Sequence, residues 1–474
     1  MKVLFIEPPK DVWFVMGDYL PPPLSILQLA AFIEDRSPDI KIQVIDCQVE
    51  HLIWKDLERR IEDADADIIA PNALATCNTY VVARTVELAK KVNPEVLTVV
   101  GGQHFTSTAE ESLIKYPEID VIVRGEGEET LFELIKVREK ELSLSEVDGI
   151  SFRYDNQIIH NQQRPFIERL DELPFPGYHF VEDFIDKYHF LMMAGRDVGY
   201  ALIEGSRGCT HNCSFCSQVL HWRRTCRTKS VKRIVDEMEY CYNDLGIRFI
   251  WLTDDNFGLG IRAEQICEEI INRGLKGKIM WFIQTRSDEI LKHEKLIPKL
   301  RRAGLCWALV GVERHDKQTL SNFQKSISPD VSNKAIEILK KNNIFAQAMF
   351  ILGARNDSHK SIEELRKYAN DLDPDLSIFG ILTPFPGTET YKTAKKNGWI
   401  EDDNWAHYDM LHAIMPTENL TRQEIQEELY TCYREFYGSW RRRLSDIFSQ
   451  NHFTRRTYRY LVSQNLLSQL RSLI

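Results

Sequence analysis

Three cysteines stand within eight residues of one another in RGCTHNCSFCSQ (residues 207–218), where Cys209, Cys213 and Cys216 follow a Cx3Cx2C spacing. Thiolates are soft ligands, so three of them on one short loop can converge on a metal centre. Zinc takes a fourth Cys or His at a matching distance, and His211, inside the loop, is poorly placed to supply it. A cubane iron–sulfur cluster held by only three cysteines leaves one iron open to a substrate, which is a chemical opportunity rather than a structural staple.

The elements that must position this loop can be read from hydrophobic periodicity. The apolar run ALIEGS leads directly into the first cysteine. It opens a series of six strand-like runs, continued by FIWLTDD, IMWFIQTR, WALVGVER, AQAMFILG and LSIFGILTP, with helical patterns such as SVKRIVDEMEYCYNDLG between them. Six βα units in about 185 residues predict a partial (β/α)6 barrel over 195–400, with its chemistry on the loops that follow the strands. Those strand ends carry Asp254 and Asp255, Gln284 and Arg286, and Glu313.

A second alternation occupies residues 1–140, where VLFIEP, IKIQVID, ADIIAPN, LTVVGG and IDVIVRG read as strands of a parallel, Rossmann-like sheet. Their ends carry Pro8, Pro9, Asp46, Asn72, Gly101, Gly102 and the Gly125 to Gly127 turn. A doubly wound sheet binds ligands at such ends. The GEG at 125–127 is too short for a dinucleotide fingerprint, and the first strand is followed by prolines, which argues against an NAD site. Residues 141–194, with LDELPFPGYHF, read as a linker. Residues 401–474 read as a helical C-terminal segment ending in a basic tail. From Gly438 to Ile474 seven arginines face one acid, Asp446, for a net charge of +6. That tail reads either as a basic amphipathic helix for a membrane surface or as a helical cap packed on the barrel.

Composition narrows the class. The chain has 474 residues, 43% of them hydrophobic and 27% charged, ample for several globular cores. Its net charge of −10 argues against a nucleic-acid partner and favours a small molecule. No signal-like N-terminus and no membrane-length apolar run is present, so the chain reads as cytoplasmic, and peripheral membrane contact follows only from the first of the two readings of the tail. Cys226, Cys241 and Cys267 lack partner spacing and read as buried structural thiols, and one cluster is expected.

The Cx3CxΦC form, with Phe215 before the last cysteine and a six-unit βα series around it, resembles the radical S-adenosylmethionine (SAM) superfamily. The resemblance implies a [4Fe–4S] cluster on Cys209, Cys213 and Cys216, whose open iron chelates SAM and whose electron cleaves it to a hydrogen-abstracting radical. It further implies that Asp254 and Asp255 lie near the methionine amino group, that Arg286 pairs with the carboxylate, and that Glu313 hydrogen-bonds the ribose. ILG at 351–353 and PFPGTE at 384–389 match the adenine-side segments.

The N-terminal stretches PPPLSILQLAAFIE, VVGGQHFTSTAEE and VRGEGEETLFEL resemble the B12-binding domain of cobalamin-dependent members. The implied cobalamin site lies near Gly101, Gly102 and Gly125. The Asp-x-His-x-x-Gly motif that supplies a histidine to cobalt elsewhere is absent. The reading that follows is a cobalamin-dependent radical C-methyltransferase acting on an apolar lipid or pigment, fed by a donor such as ferredoxin or flavodoxin. A radical oxidative cyclase of the magnesium-porphyrin type shares every motif. A non-enzymatic cobalamin carrier or sensor with a structural cluster is the third reading, and a tRNA methylthiotransferase is disfavoured because the N-terminal region has only Cys47 and Cys77.

Overall fold

The computed structural model describes residues 1–10, 19–73, 75–195 and 198–463. The described residues divide into two compact units, one of residues 1–10, 20–73, 75–188 and 220–222, the other of residues 19, 189–195, 198–219 and 223–463.

The first unit is built on a seven-stranded sheet. Its five parallel strands are Lys2–Glu7, Lys41–Asp46, Ile68–Pro71, Leu97–Val100 and Val121–Val123, and in space the second lies outside the first, with the third, fourth and fifth following on the other side. This 2-1-3-4-5 order is one of the two common doubly wound orders. The strands are apolar almost throughout because helices cover both faces: Val3, Phe5, Ile68, Val99 and Val121 pack with Ile26, Ala30 and Leu134 on one side. Leu4, Ile6, Ile45 and Ile69 pack with Leu57, Ile61 and Ala89 on the other. The sheet is mixed rather than purely parallel. The stretch read as a linker contributes a hairpin, Ile150–Tyr154 and Gln157–His160, that pairs antiparallel with Val121–Val123 and extends the edge. Phe152 alternates with polar neighbours, a pattern too short to stand out among turn residues.

The second unit holds six parallel strands in strict chain order: Tyr200–Ile203, Phe249–Leu252, Met280–Arg286, Leu305–Glu313, Phe345–Leu352 and Leu376–Ile381. Every one coincides with an apolar run in the sequence. Stacked rings fill the sheet, with Trp251 on Phe282 at 4.6 Å and Trp307 on Phe345 at 3.6 Å between centroids. Four of the helices that follow strands start at side-chain caps: Ser230, Asp316, Ser358 and Thr388 each accept from the backbone N–H three residues on.

The last strand, Leu376–Ile381, would leave its outer backbone unpaired. Helix Arg422–Gly438 covers it with two tyrosines one turn apart. Tyr433 Oη accepts from Phe379 N at 3.2 Å and donates to Phe379 O at 2.9 Å; Tyr437 Oη does the same for Ser377 at 3.0 and 2.5 Å. Four residues of helix rise about 6 Å and two residues of strand about 6.6 Å, so i,i+4 on the helix matches i,i+2 on the strand. Helix His452–Ser463 packs as a cap, burying Phe453, Thr454, Thr457, Tyr458 and Leu461. No described helix is long and apolar enough to cross a membrane. Cys241 and Cys267 are buried as expected, whereas Cys226 is exposed: it lies just before the two-residue strand Arg227–Thr228, outside any helix face.

Candidate functional site

The cysteine loop starts from the short strand Ser206–Arg207, pinned antiparallel to Arg227–Thr228, and ends at helix Ser217–His221. Gly208, with φ 93°, makes the turn into Cys209 that an L side chain would strain. Asp254 holds the base of the loop. Its fully buried carboxylate accepts from Gly205 N at 2.8 Å and Ser206 Oγ at 2.6 Å and pairs with Arg262 at 3.3 Å. Burial raises its pKa, while Arg262 and these hydrogen bonds oppose that rise. Asp255 takes the next contact, accepting from Gly208 N at 3.1 Å.

The far side of the loop is clamped by residues 322–324 and 390. Ser214 N donates to Phe323 O at 3.0 Å, Ser214 Oγ to Asn322 O at 3.3 Å, and Thr390 N and Oγ1 both donate to Ser214 O. Asn212 and Gln324 are hydrogen-bonded through their side-chain amides. Phe215, the aromatic before Cys216, packs on Phe323 at 5.1 Å between centroids. It joins an apolar cluster with Ala354, Leu382 and Met415.

The three thiols are free. Burial raises the pKa of each, that of Cys216 to about 12. Acting against burial at Cys213 are the charges of Lys325 and Arg286 and a hydrogen bond from Arg286. Asp255 interacts with Cys209 and Cys216, and Glu313 with Cys213. Asp255, Arg286 and Glu313, read from separate strand ends, thus lie around the cysteine loop, while Asp254 is committed to the framework beneath it. Arg286 also forms a two-pronged pair with Asp288, at 2.9 and 3.0 Å, and its N–H donates to Asn256. No three His, Cys, Asp or Glu side chains among the described residues gather as ligands of a single metal ion. The fit of the loop to a multi-iron cluster rests instead on its donor set of three free thiols, faced by two cations.

Glu313 ends its strand in an unusual way. Its φ is 65°, in the left-handed region, and the pairing with the next strand shifts register between Gly311 and Glu313. Such a backbone is costly and persists where surroundings over-determine it. Here the determinant is Lys325, 5% exposed in its side chain, whose Nζ lies 2.5 Å from Glu313 Oε1 and donates to Gly311 O at 2.9 Å. Lys325 was not legible in the sequence: LSNFQKSISP is an ordinary polar loop, and nothing local marks its lysine as buried. The segment 351–353 is held from below by Arg314, buried and paired with Asp357 at 2.6 Å and donating to Ile351 O.

In the first unit the strand ends carry a polar cluster. Asn72 donates to Glu7, and Asp46 accepts from Tyr188 Oη at 2.9 Å and from Gln48 and Val49 N–H groups. Burial, then the nearby charge of Glu7, raises the Asp46 pKa to about 6. Gly102, with φ 83°, is required by chain packing, since a Cβ there would lie 2.3 Å from Ala73 O. A Cβ on Gly101 would lie 3.3 Å from Val123 O, a milder crowding; Gly125 is fixed by φ 84° and donates to Thr106 Oγ1 at 3.2 Å.

Comparison with known proteins gives two matching domain families: the B12 binding domain over residues 16–135 and the radical SAM superfamily over residues 203–369. An uncharacterized methyltransferase of Pyrococcus horikoshii is 31% identical over 96% of both chains. The anaerobic magnesium-protoporphyrin IX monomethyl ester cyclase of Rubrivivax gelatinosus is 30% identical over 96% of this chain and 80% of its own. Among solved structures, the cobalamin-dependent SAM radical enzyme OxsB, with aqua-cobalamin and SAM bound, superposes with a TM-score of 0.75 at 19% identity, covering 98% of this chain and 71% of that one.

Proposed function

Because the chain belongs to the family that joins a B12 binding domain to a radical SAM domain, we propose that it is a cobalamin-dependent radical SAM C-methyltransferase acting on an unactivated carbon of an apolar lipid or tetrapyrrole. Its cofactors are one [4Fe–4S] cluster, SAM and cobalamin. When bound, these supply one-electron cleavage of a sulfonium, hydrogen abstraction and a transferable methyl group. The observation that carries the proposal is the gathering of Asp255, Arg286, Glu313 and Lys325 around the three free thiols.

In this reading Cys209, Cys213 and Cys216 hold the cluster, and Arg286 and Lys325 offset its negative charge. Glu313 accepts from a ribose hydroxyl, Asp255 faces the methionine amino group, and Arg286 divides its donors between Cys213, Asp288 and the methionine carboxylate. Asp254 positions the loop and does not touch SAM. The six parallel strands form the partial barrel of 195–400, and 1–140 the B12-binding domain. Cobalamin sits at the carboxyl ends of that domain's strands, near Gly101 and Gly125 and the Glu7, Asp46, Asn72 cluster, with Gly102 shaping the chain there. The protein's own contribution is to hold the reacting carbon in line and exclude water.

The cyclase relative favours a second reading, radical ring formation on a tetrapyrrole with the same residues in the same roles. Anaerobic incubation with methyl-labelled SAM and extracted lipids or pigments separates them. Label in the product supports methyl transfer. A ring-closed, unlabelled product replaces it with the cyclase, and no SAM cleavage under any reducing condition removes both.

A further inference from the structure

Helix Trp440–Ile447 is inverted with respect to an ordinary surface helix. It buries none of its residues, although the helices on either side are anchored by Tyr433, Phe436 and Tyr437 and by Phe453, Tyr458 and Leu461. What holds it are arginines beneath it. Arg442 stacks on the Phe436 ring at 4.0 Å and pairs with Asp373 at 2.8 Å, and Arg443 donates to Tyr437 O at 2.6 Å. The apolar side chains point the other way: Trp440, Leu444 and Phe448 are 66, 50 and 73% exposed. Spaced i, i+4 and i+8, they form one stripe. Three of the twelve exposed large apolar side chains among the described residues therefore lie within nine residues, where single scattered ones would be unremarked.

The stripe is bordered by a cation: Arg441, exposed, lies over the Trp440 ring at 5.6 Å. Residues 438–474 carry a net +6 in a chain of net −10, so this end is opposite in sign to the rest. A second copy of the chain seated on the same stripe would bring two ends of net +6 against each other. A surface with apolar depth and negative headgroups matches both features, since tryptophan and phenylalanine settle at the level where acyl chains meet headgroups and arginines attract anionic lipid. We propose that the Trp440–Phe448 face docks the protein on an anionic bilayer surface. The docking is reversible and peripheral, because the stripe is only about two and a half turns long.

The test is sedimentation of the full, cofactor-loaded chain with phosphatidylcholine vesicles with and without phosphatidylglycerol, at low and high salt. The variant carries Trp440→Ser, Leu444→Ser and Phe448→Ser together; all three are exposed, and unchanged circular dichroism and cluster absorption confirm that it folds. The expected result is binding to phosphatidylglycerol vesicles that weakens about tenfold or more in the variant and falls with salt. Absence of binding by the unaltered chain overturns the proposal, as does equal binding by the variant. So does self-association of the unaltered chain that the variant loses without any vesicle binding. SAM cleavage is expected to be the same in both proteins, so failure here leaves the cofactor reading standing.

Discussion

Glu313 and Lys325 form an ion pair of 2.5 Å in the space that Gly311 leaves empty, for a Cβ on Gly311 would lie 2.5 Å from both charged atoms. The pair joins the end of one strand to the loop that clamps the cysteines, because residues 322–324 grip Asn212 and Ser214 immediately before Lys325. A single buried interaction thus ties the proposed ribose-binding carboxylate to the proposed cluster loop. Removing one partner leaves a nearly buried charge uncompensated, at about 3–5 kcal/mol. Glu313→Gln is expected to weaken SAM binding about tenfold or more while the cluster remains. Lys325→Gln is expected to do the same and to perturb the cluster's absorption. Gly311→Ala reproduces both by wedging the pair apart. SAM affinity by equilibrium dialysis is the measurement, and an affinity untouched by Glu313→Gln assigns the pair to structure alone.

Anaerobically reconstituted chain is expected to hold about four irons, the content of one cubane, and each of Cys209→Ala, Cys213→Ala and Cys216→Ala to abolish the cluster absorption and 5′-deoxyadenosine formation. Full iron content in the triple variant would end the radical reading.

The tyrosines that close the last strand give a stability prediction. Tyr433→Phe strips both hydrogen bonds from buried Phe379 backbone groups, and Tyr437→Phe those of Ser377. Each is expected to cost about 1–3 kcal/mol, the desolvation of unpaired backbone groups. Faster amide hydrogen exchange at 377 and 379, with the Cys209–Cys216 loop unchanged, is the signature.

Asp46 gives a pH dependence. Its folded pKa of about 6 lies above the unfolded value near 3.9, so between those values the folded chain binds the extra proton. The contribution is fully present below about pH 4 and is lost as pH rises through 6, a change of up to about 3 kcal/mol. Asp46→Asn keeps the acceptors for Gln48 and Val49 without the charge. Its thermal midpoint is expected to gain on that of the unaltered chain between pH 4.5 and 7, and a constant difference across that range would refute the assignment.

For cobalt, the missing Asp-x-His-x-x-Gly motif predicts a bound cobalamin without histidine from that motif. Electron paramagnetic resonance of the cob(II) state reads this directly, since an axial nitrogen splits the lines into triplets. Triplets that vanish on substitution of a protein histidine would overturn it.

The cysteine loop was legible in the sequence because its three ligands are neighbours in the chain, so their spacing is itself geometry. The twelve-residue span from Glu313 to Lys325 has no such property. The two meet only because the chain turns back across its own strand, and that turn depends on a left-handed φ and an absent side chain that local periodicity does not encode. The parallel strands were legible for a related reason: a strand covered on both faces is apolar at every position, and such runs stand out wherever they occur. The hairpin at 150–160 lies at a sheet edge, half in water, and its pattern faded into the turns around it.

Sequence alone determined which chemistry the chain can host, since three thiols at fixed spacing and six apolar runs do not depend on how distant parts meet. Only the tertiary structure decided what each charge is for. Asp254 and Asp255 are adjacent in sequence, yet one is sealed beneath the loop with Arg262 while the other faces the thiols. Arg441 and Arg442 are likewise adjacent, yet one rims an exposed face and the other anchors it from below. A charged side chain's role is set by the solvent and partners it meets, and those come from contacts tens or hundreds of residues apart.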